Sequence, residues 1–97
     1  MLGGAKPARP ADAEVQGVCD KVRQEVEQKA NGGNAYAMFV ATTVSTQVVA
    51  GINYFVKVQT GEGAYIHVRV YEDLSQTFTL SAFKTGMTLD DPIGYFE

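Results

Sequence analysis

The 97-residue sequence contains one cysteine, one histidine and no tryptophan. With Cys19 alone, neither an internal disulfide framework nor a cysteine-rich zinc site can form, and a reducing compartment, the cytosol, is expected. Residues 1–10 lack the apolar run of a secretory signal, and no later stretch reaches the ~18 apolar residues of a membrane span. Neither export nor a membrane anchor is expected. Positive charge is also sparse: eight Lys and Arg against eleven Asp and Glu leave a net charge of −3. The basic residues are scattered and form no stripe that could follow a phosphate backbone, so nucleic acid is not an expected partner.

The same scarcity works against an enzyme. Cys19 with His67 is the only thiol–imidazole pair the chain can assemble. Cys19 falls within a stripe of valines, where apolar surroundings raise a thiol's pKa and leave it inert. His67 alternates with Tyr65, Arg69 and Tyr71 on the strand face opposite Ile66 and Val68, so it reads as solvated or hydrogen-bonded and out of reach of Cys19. No cluster of further ligands surrounds it in sequence, and no metal is expected. Asp90 and Asp91, adjacent on an extended segment, point apart and read as solvated surface. Neither Gly3-Gly4 nor Gly51 resembles a phosphate loop leading into a helix, and no cofactor is expected.

What the chain does have, 45% hydrophobic and 20% charged residues, suits one globular domain over 1–97 with one core. Residues 1–10, rich in Gly, Ala and Pro and without periodicity, read as an extended, mobile arm. Val15, Val18, Cys19, Val22 and Val26 then recur at the spacing of an amphipathic helix over roughly 13 to 30. Asp12 suits its N-cap; Lys29 and Asn31-Gly32-Gly33 suit its end. Gly17, opposite the valine stripe, costs about 1 kcal/mol relative to alanine.

From Tyr36 the period changes to two. Strands are expected at Tyr36 to Val48, Ile52 to Gln59, Tyr65 to Tyr71 and Phe78 to Phe83, with Tyr54, Val56 and Val58, then Ile66, Val68 and Val70, each on one face. The connections at Ala50-Gly51, Thr60 to Gly63 and Asp73 to Gln76 are short enough only for antiparallel neighbours. One helix followed by an antiparallel meander is an α+β fold. The first hairpin tip, Gln47-Val48-Val49-Ala50-Gly51, is uncharged and carries two adjacent valines. Adjacent strand residues face opposite ways, so one valine packs inward while the other is presented to solvent, where apolar surface marks a binding site.

In these residues the sequence resembles the cystatin family, whose first binding hairpin reads Gln-x-Val-x-Gly, matched by Gln47, Val49 and Gly51. The context agrees: an N-terminal glycine, one helix before the first long strand, the runs Asn53 to Val58 and His67 to Val70, and Tyr95-Phe96 near the end. Lacking a signal segment and paired cysteines, it is similar to the stefin branch. The resemblance implies a four- to five-stranded antiparallel sheet wrapped around the helix, with three segments aligned on one edge as a wedge. It also implies reversible, tight, non-covalent competitive inhibition of papain-like cysteine proteases of the cathepsin type. The protease-binding residues carried over are Leu2, Gly3 and Gly4 in the arm, Gln47, Val48, Val49, Ala50 and Gly51 in the first hairpin, and Leu74 and Ser75 in the second. The second hairpin departs from the pattern, since stefins show Leu-Pro where this chain has Leu74-Ser75, in a loop a few residues shorter. That departure suggests the alternative of a cystatin-fold binding or structural protein without inhibitory activity; the intact Gln47 to Gly51 argues against it. The resemblance further implies a monomer able to form domain-swapped dimers, in which residues 47 to 51 straighten and merge two strands.

Overall fold

The structure, a computed structural model, describes residues 5–97. The helix α1, Ala13–Ala30, begins where expected because Asp12 is extended and its Oδ1 accepts the Val15 amide at 3.0 Å, satisfying one of the free donors of the first turn. It ends at Asn31, after which Gly32 and Gly33 turn the chain with φ of +61° and +86°, and the Gly33 amide reaches back to the Glu27 carbonyl at 3.0 Å. Val15, Val18, Cys19, Val22 and Val26 are all buried, so the stripe is the contact face.

Five strands follow the order β1 (Arg9–Pro10), β2 (Val40–Val49), β3 (Gly51–Gly61), β4 (Ala64–Glu72) and β5 (Phe78–Met87), each antiparallel to its neighbour. The α1 stripe packs on one sheet face against Val44, Tyr54, Val56, Val58, Ile66, Val68, Val70 and Leu80. This is the α+β fold and face assignment expected from the alternation.

Three expectations are corrected. The arm is not wholly unpacked: Arg9 and Pro10 pair with Val44 and Thr43, the Lys6 amide donates to the Thr46 carbonyl at 2.8 Å, and the Ala11 amide to the Thr42 carbonyl at 3.0 Å. Pro10, lacking a donor, is tolerated because this is an edge strand. The second strand starts at Val40 instead of Tyr36, because helix side chains take over the preceding backbone. The Tyr36 amide donates to Glu27 Oε2 at 2.9 Å, Arg23 to the Tyr36 carbonyl at 2.8 Å, and Gln16 Nε2 to the Phe39 carbonyl at 2.8 Å.

The third concerns the face of His67, which is buried instead of solvated, with 2% exposure. Residues 88–97 fold back over this outer face. Phe55 meets Tyr95 and Phe96 at ring-centroid distances of 5.5 and 5.9 Å, and Arg69 donates to the Phe96 carbonyl at 3.3 Å. Lys57, itself buried, donates its ammonium to the carbonyls of Leu89 and Asp91. Asp91 is accordingly half-buried, its Oδ2 accepting the Thr88 amide at 2.7 Å, while Asp90 is exposed as expected.

Candidate binding edge

The sheet register brings two loops together. Val48 lies opposite Ile52, Ile52 opposite Glu72 and Glu72 opposite Phe78, so the β2–β3 tip and the β4–β5 loop leave the sheet at the same end. The arm runs antiparallel to β2, from Arg9 beside Val44 to Lys6 beside Thr46, and so approaches this end as residue numbers fall. Leu2, Gly3 and Gly4 lie outside the described residues.

In the first loop, Val48 follows Val44 and Thr46 on the helix-bearing face, but nothing covers it and it is 53% exposed. Val49 is half-buried and Ala50 exposed, so Val48 is the presented valine. Gln47 is braced across the hairpin, its Oε1 accepting from Asn53 Nδ2 at 3.1 Å. Gly51 has φ +118°, and a Cβ there would stand 2.2 Å from the Glu72 carbonyl oxygen and 2.9 Å from Tyr71 Cε1. The glycine is therefore required by its own chain, which passes directly behind it. From the same strand, the Tyr71 hydroxyl donates to the Ala50 carbonyl.

The second loop is organised by Asp73, whose Oδ1 accepts the amides of Ser75 at 2.8 Å and Thr77 at 2.9 Å. Its amide donates to the Thr77 carbonyl, its carbonyl accepts from Gln76, and Gln76 adopts φ +64°. The short side chain thus does the turning that a longer loop would otherwise distribute. Leu74 stands out at 82% exposure with Ser75 beside it. Tyr54 steadies the base by donating to Glu72 Oε1 at 2.8 Å; burial first, and this bond second, push its phenol pKa up.

Between the loops runs an open groove of about 290 Å³, with Val48, Val49 and Ile52 on one wall and Asp73 and Leu74 on the other. A larger depression, about 380 Å³, lies at the opposite end of the sheet beside Tyr36, Tyr65 and Met87 and contains none of the site residues named from the sequence. Cys19 and His67 are separated by the sheet: Cys19 belongs to the core under α1, and His67 lies on the outer face near Phe96. Burial pushes the Cys19 thiol up to about 12. Among the described residues, no three His, Cys, Asp or Glu side chains are grouped so as to hold a metal, and no helix is long and apolar enough to cross a membrane.

The site residues that sequence reasoning missed are Tyr71, Asp73 and Asn53, which shape the loops from outside the motif. Asp73 had a legible signal, an aspartate two residues ahead of a serine in a short connection. Tyr71 had none, because its contact crosses from β4 to a tip about twenty residues earlier.

A sheet wrapped on one helix, with apolar side chains displayed from two loops at one end, is a scaffold with a candidate binding edge. A family model described as the cystatin domain matches residues 3–85. The chain is 43% identical over 96 residues to Cystatin-A of Mus musculus, covering 97% of each chain. It is 39% identical over 99 residues to Cystatin-B of Oplegnathus fasciatus, covering 99% of this chain and 97% of that one. To Cystatin-A of Felis catus it is 39% identical over 97 residues, again 97% of each. The chain belongs to the cystatin family, in its stefin branch. Members of this family are protease inhibitors and not enzymes, and protease inhibition is accordingly the general activity of this chain.

Proposed function

We propose that this protein is a reversible, tight-binding, non-covalent competitive inhibitor of papain-like cysteine proteases of the cathepsin type, acting in the cytoplasm as a one-domain monomer. The observation that carries the reading is the shared edge: Val48 at 53% and Leu74 at 82% exposure stand on opposite walls of one groove, from loops far apart in sequence. Apolar side chains displayed this way enter a narrow cleft with little polar desolvation, and each one fully buried contributes about 1.5–3 kcal/mol. In this reading Gln47 to Gly51 enter the centre of the cleft, Leu74 and Ser75 lie to one side, and Leu2, Gly3 and Gly4 lie along the substrate subsites on the other. No peptide bond is delivered to the catalytic thiolate, so the inhibitor is not consumed. An interface of ordinary size, about 1,600 Å² in total, accommodates all three segments.

The test is steady-state inhibition of papain and a cathepsin L-like protease by purified monomer, alongside Val48→Asp. Val48 is exposed, so this variant is expected to keep the wild-type fold while forcing a carboxylate into the cleft. Inhibition weakened at least 100-fold by Val48→Asp, and at least tenfold by removing residues 1–4, is expected. Absence of inhibition by folded wild-type monomer refutes the proposal. A domain-swapped dimer, with residues 47–51 straightened, lacks the tip and should not inhibit; potent inhibition by a dimer that stays dimeric would contradict the assigned role of that tip.

A further inference from the structure

The tip of the first hairpin is held from outside the hairpin. Val49 opposite Gly51 is the last pair of the β2–β3 ladder, leaving Ala50 at the apex. Among the described residues, a single side-chain hydrogen bond reaches residues 49–51, that of the Tyr71 hydroxyl to the Ala50 carbonyl. Tyr71 lies on β4, opposite Asn53, and its ring fills the space behind Gly51: Cε1 and the hydroxyl are 2.9 and 3.0 Å from where a Cβ at 51 would stand. Asn53 in turn donates to Gln47. The tip is thus tied at its base by Asn53 and at its apex by Tyr71.

We infer that Tyr71 is a positioning residue for inhibition, holding the Val49–Gly51 tip in its binding shape through the Ala50 carbonyl. The inference rests on the cleft-blocking role proposed for that tip. Glycine at 51 gives the tip access to conformations that other residues avoid, and disorder there before binding would lower the fraction of molecules competent to bind. Tyr71 restricts that freedom in advance. Its contribution should appear in the association rate, since a tip already in shape needs no rearrangement on encounter.

The experiment compares wild type with Tyr71→Phe, which keeps the ring and removes only the hydroxyl. Tyr65→Phe, on the same strand at the other end of the sheet, serves as control. Association and dissociation rates with papain are measured together with backbone ¹⁵N relaxation of residues 49–52. The expected result for Tyr71→Phe is an association rate about 5-fold slower, the scale of one neutral hydrogen bond. Dissociation stays within about twofold, the tip amides become more mobile, and the unfolding midpoint falls below that of Tyr65→Phe by no more than the loss of that one bond allows, about 4–8 °C. Wild-type association overturns the inference while leaving the proposed function intact. Slower association with unchanged tip relaxation also overturns it, since Tyr71 would then act by direct contact with the protease. Were the wild-type protein not to inhibit, the proposed function would fail, and tip relaxation alone would decide whether Tyr71 positions the hairpin.

Discussion

Replacing Gly51 by alanine separates two explanations of why a glycine stands at the hairpin tip. If the glycine serves only to let a protease approach, a methyl group is a small perturbation of the free protein. The structure indicates a larger one. A Cβ at 51 would lie 2.2 Å from the Glu72 carbonyl oxygen, whereas carbon and oxygen in close contact stand about 3.3 Å apart. Roughly 1 Å of separation must therefore open between the tip and β4, and the obstructing atom is backbone that cannot rotate away. The φ of +118° adds strain of about 1–3 kcal/mol for a residue with a side chain. Moving the tip also breaks the Tyr71–Ala50 hydrogen bond, worth about 1 kcal/mol. Gly51→Ala should thus destabilise by about 2–4 kcal/mol, and at about 4–8 °C per kcal/mol the melting temperature should fall by at least about 8 °C. Inhibition should fall with it, nearly as far as for Gly51→Glu. Thermal unfolding and papain inhibition of the two variants side by side make the check. An alanine variant with wild-type melting temperature and wild-type inhibition would refute the argument that β4 dictates this residue.

Elsewhere, Gly17→Ala should stabilise by about 0.5–1 kcal/mol, because a Cβ there meets nothing within 4 Å on an otherwise regular helix, and urea denaturation will show it. Lys57→Met should release the C-terminal segment by removing the donor to Leu89 and Asp91, read as faster amide exchange at residues 93–97; unchanged exchange would mean that the aromatic contacts suffice. Cys19, with its thiol pKa raised to about 12 by burial, should react with a disulfide reagent only at the rate of unfolding, and rapid labelling of native protein at pH 8 would contradict this. Burial first, then Lys57 and Lys84, lower the His67 pKa below 6.5, with Asp91 opposing. The unfolded chain therefore takes the proton first, so the stability due to neutral His67 is complete above about pH 6.5 and lost as pH falls towards the lowered value. The lowered carboxylates Asp12, Glu27 and Asp91 act only further down, below their ordinary values of 3.8 to 4.5. A urea midpoint falling between pH 7 and 5, and flattened in His67→Gln, checks the assignment.

Much of the candidate binding edge was legible because its determinants are local. The valine stripe of α1 has the helical period, and the Tyr54–Val56–Val58 and Ile66–Val68–Val70 alternations have the strand period. The short connections then leave only antiparallel pairing, which carries Gln47–Gly51 and Leu74–Ser75 to one end of the sheet. The family resemblance supplied the role proposed for that end.

Other features depend on contacts between segments distant in the chain, where no periodicity operates. Residues 36–39 look like strand, but backbone groups of Tyr36 and Phe39 bond to Gln16, Arg23 and Glu27 on the helix, and the Met38 amide reaches β3 at the Thr60 carbonyl. The face of His67 looks polar and outward until Tyr95 and Phe96 fold across it, with the Lys57 ammonium tying down the intervening carbonyls. Gly51 looks like any hairpin glycine until Glu72 and Tyr71 are seen behind it. By itself the sequence determined which residues face the helix along each element and which loops meet. Tertiary structure alone decided what covers the second face and what holds the tip, because those depend on closing the chain around the sheet, where distance along the sequence carries no information about distance in space.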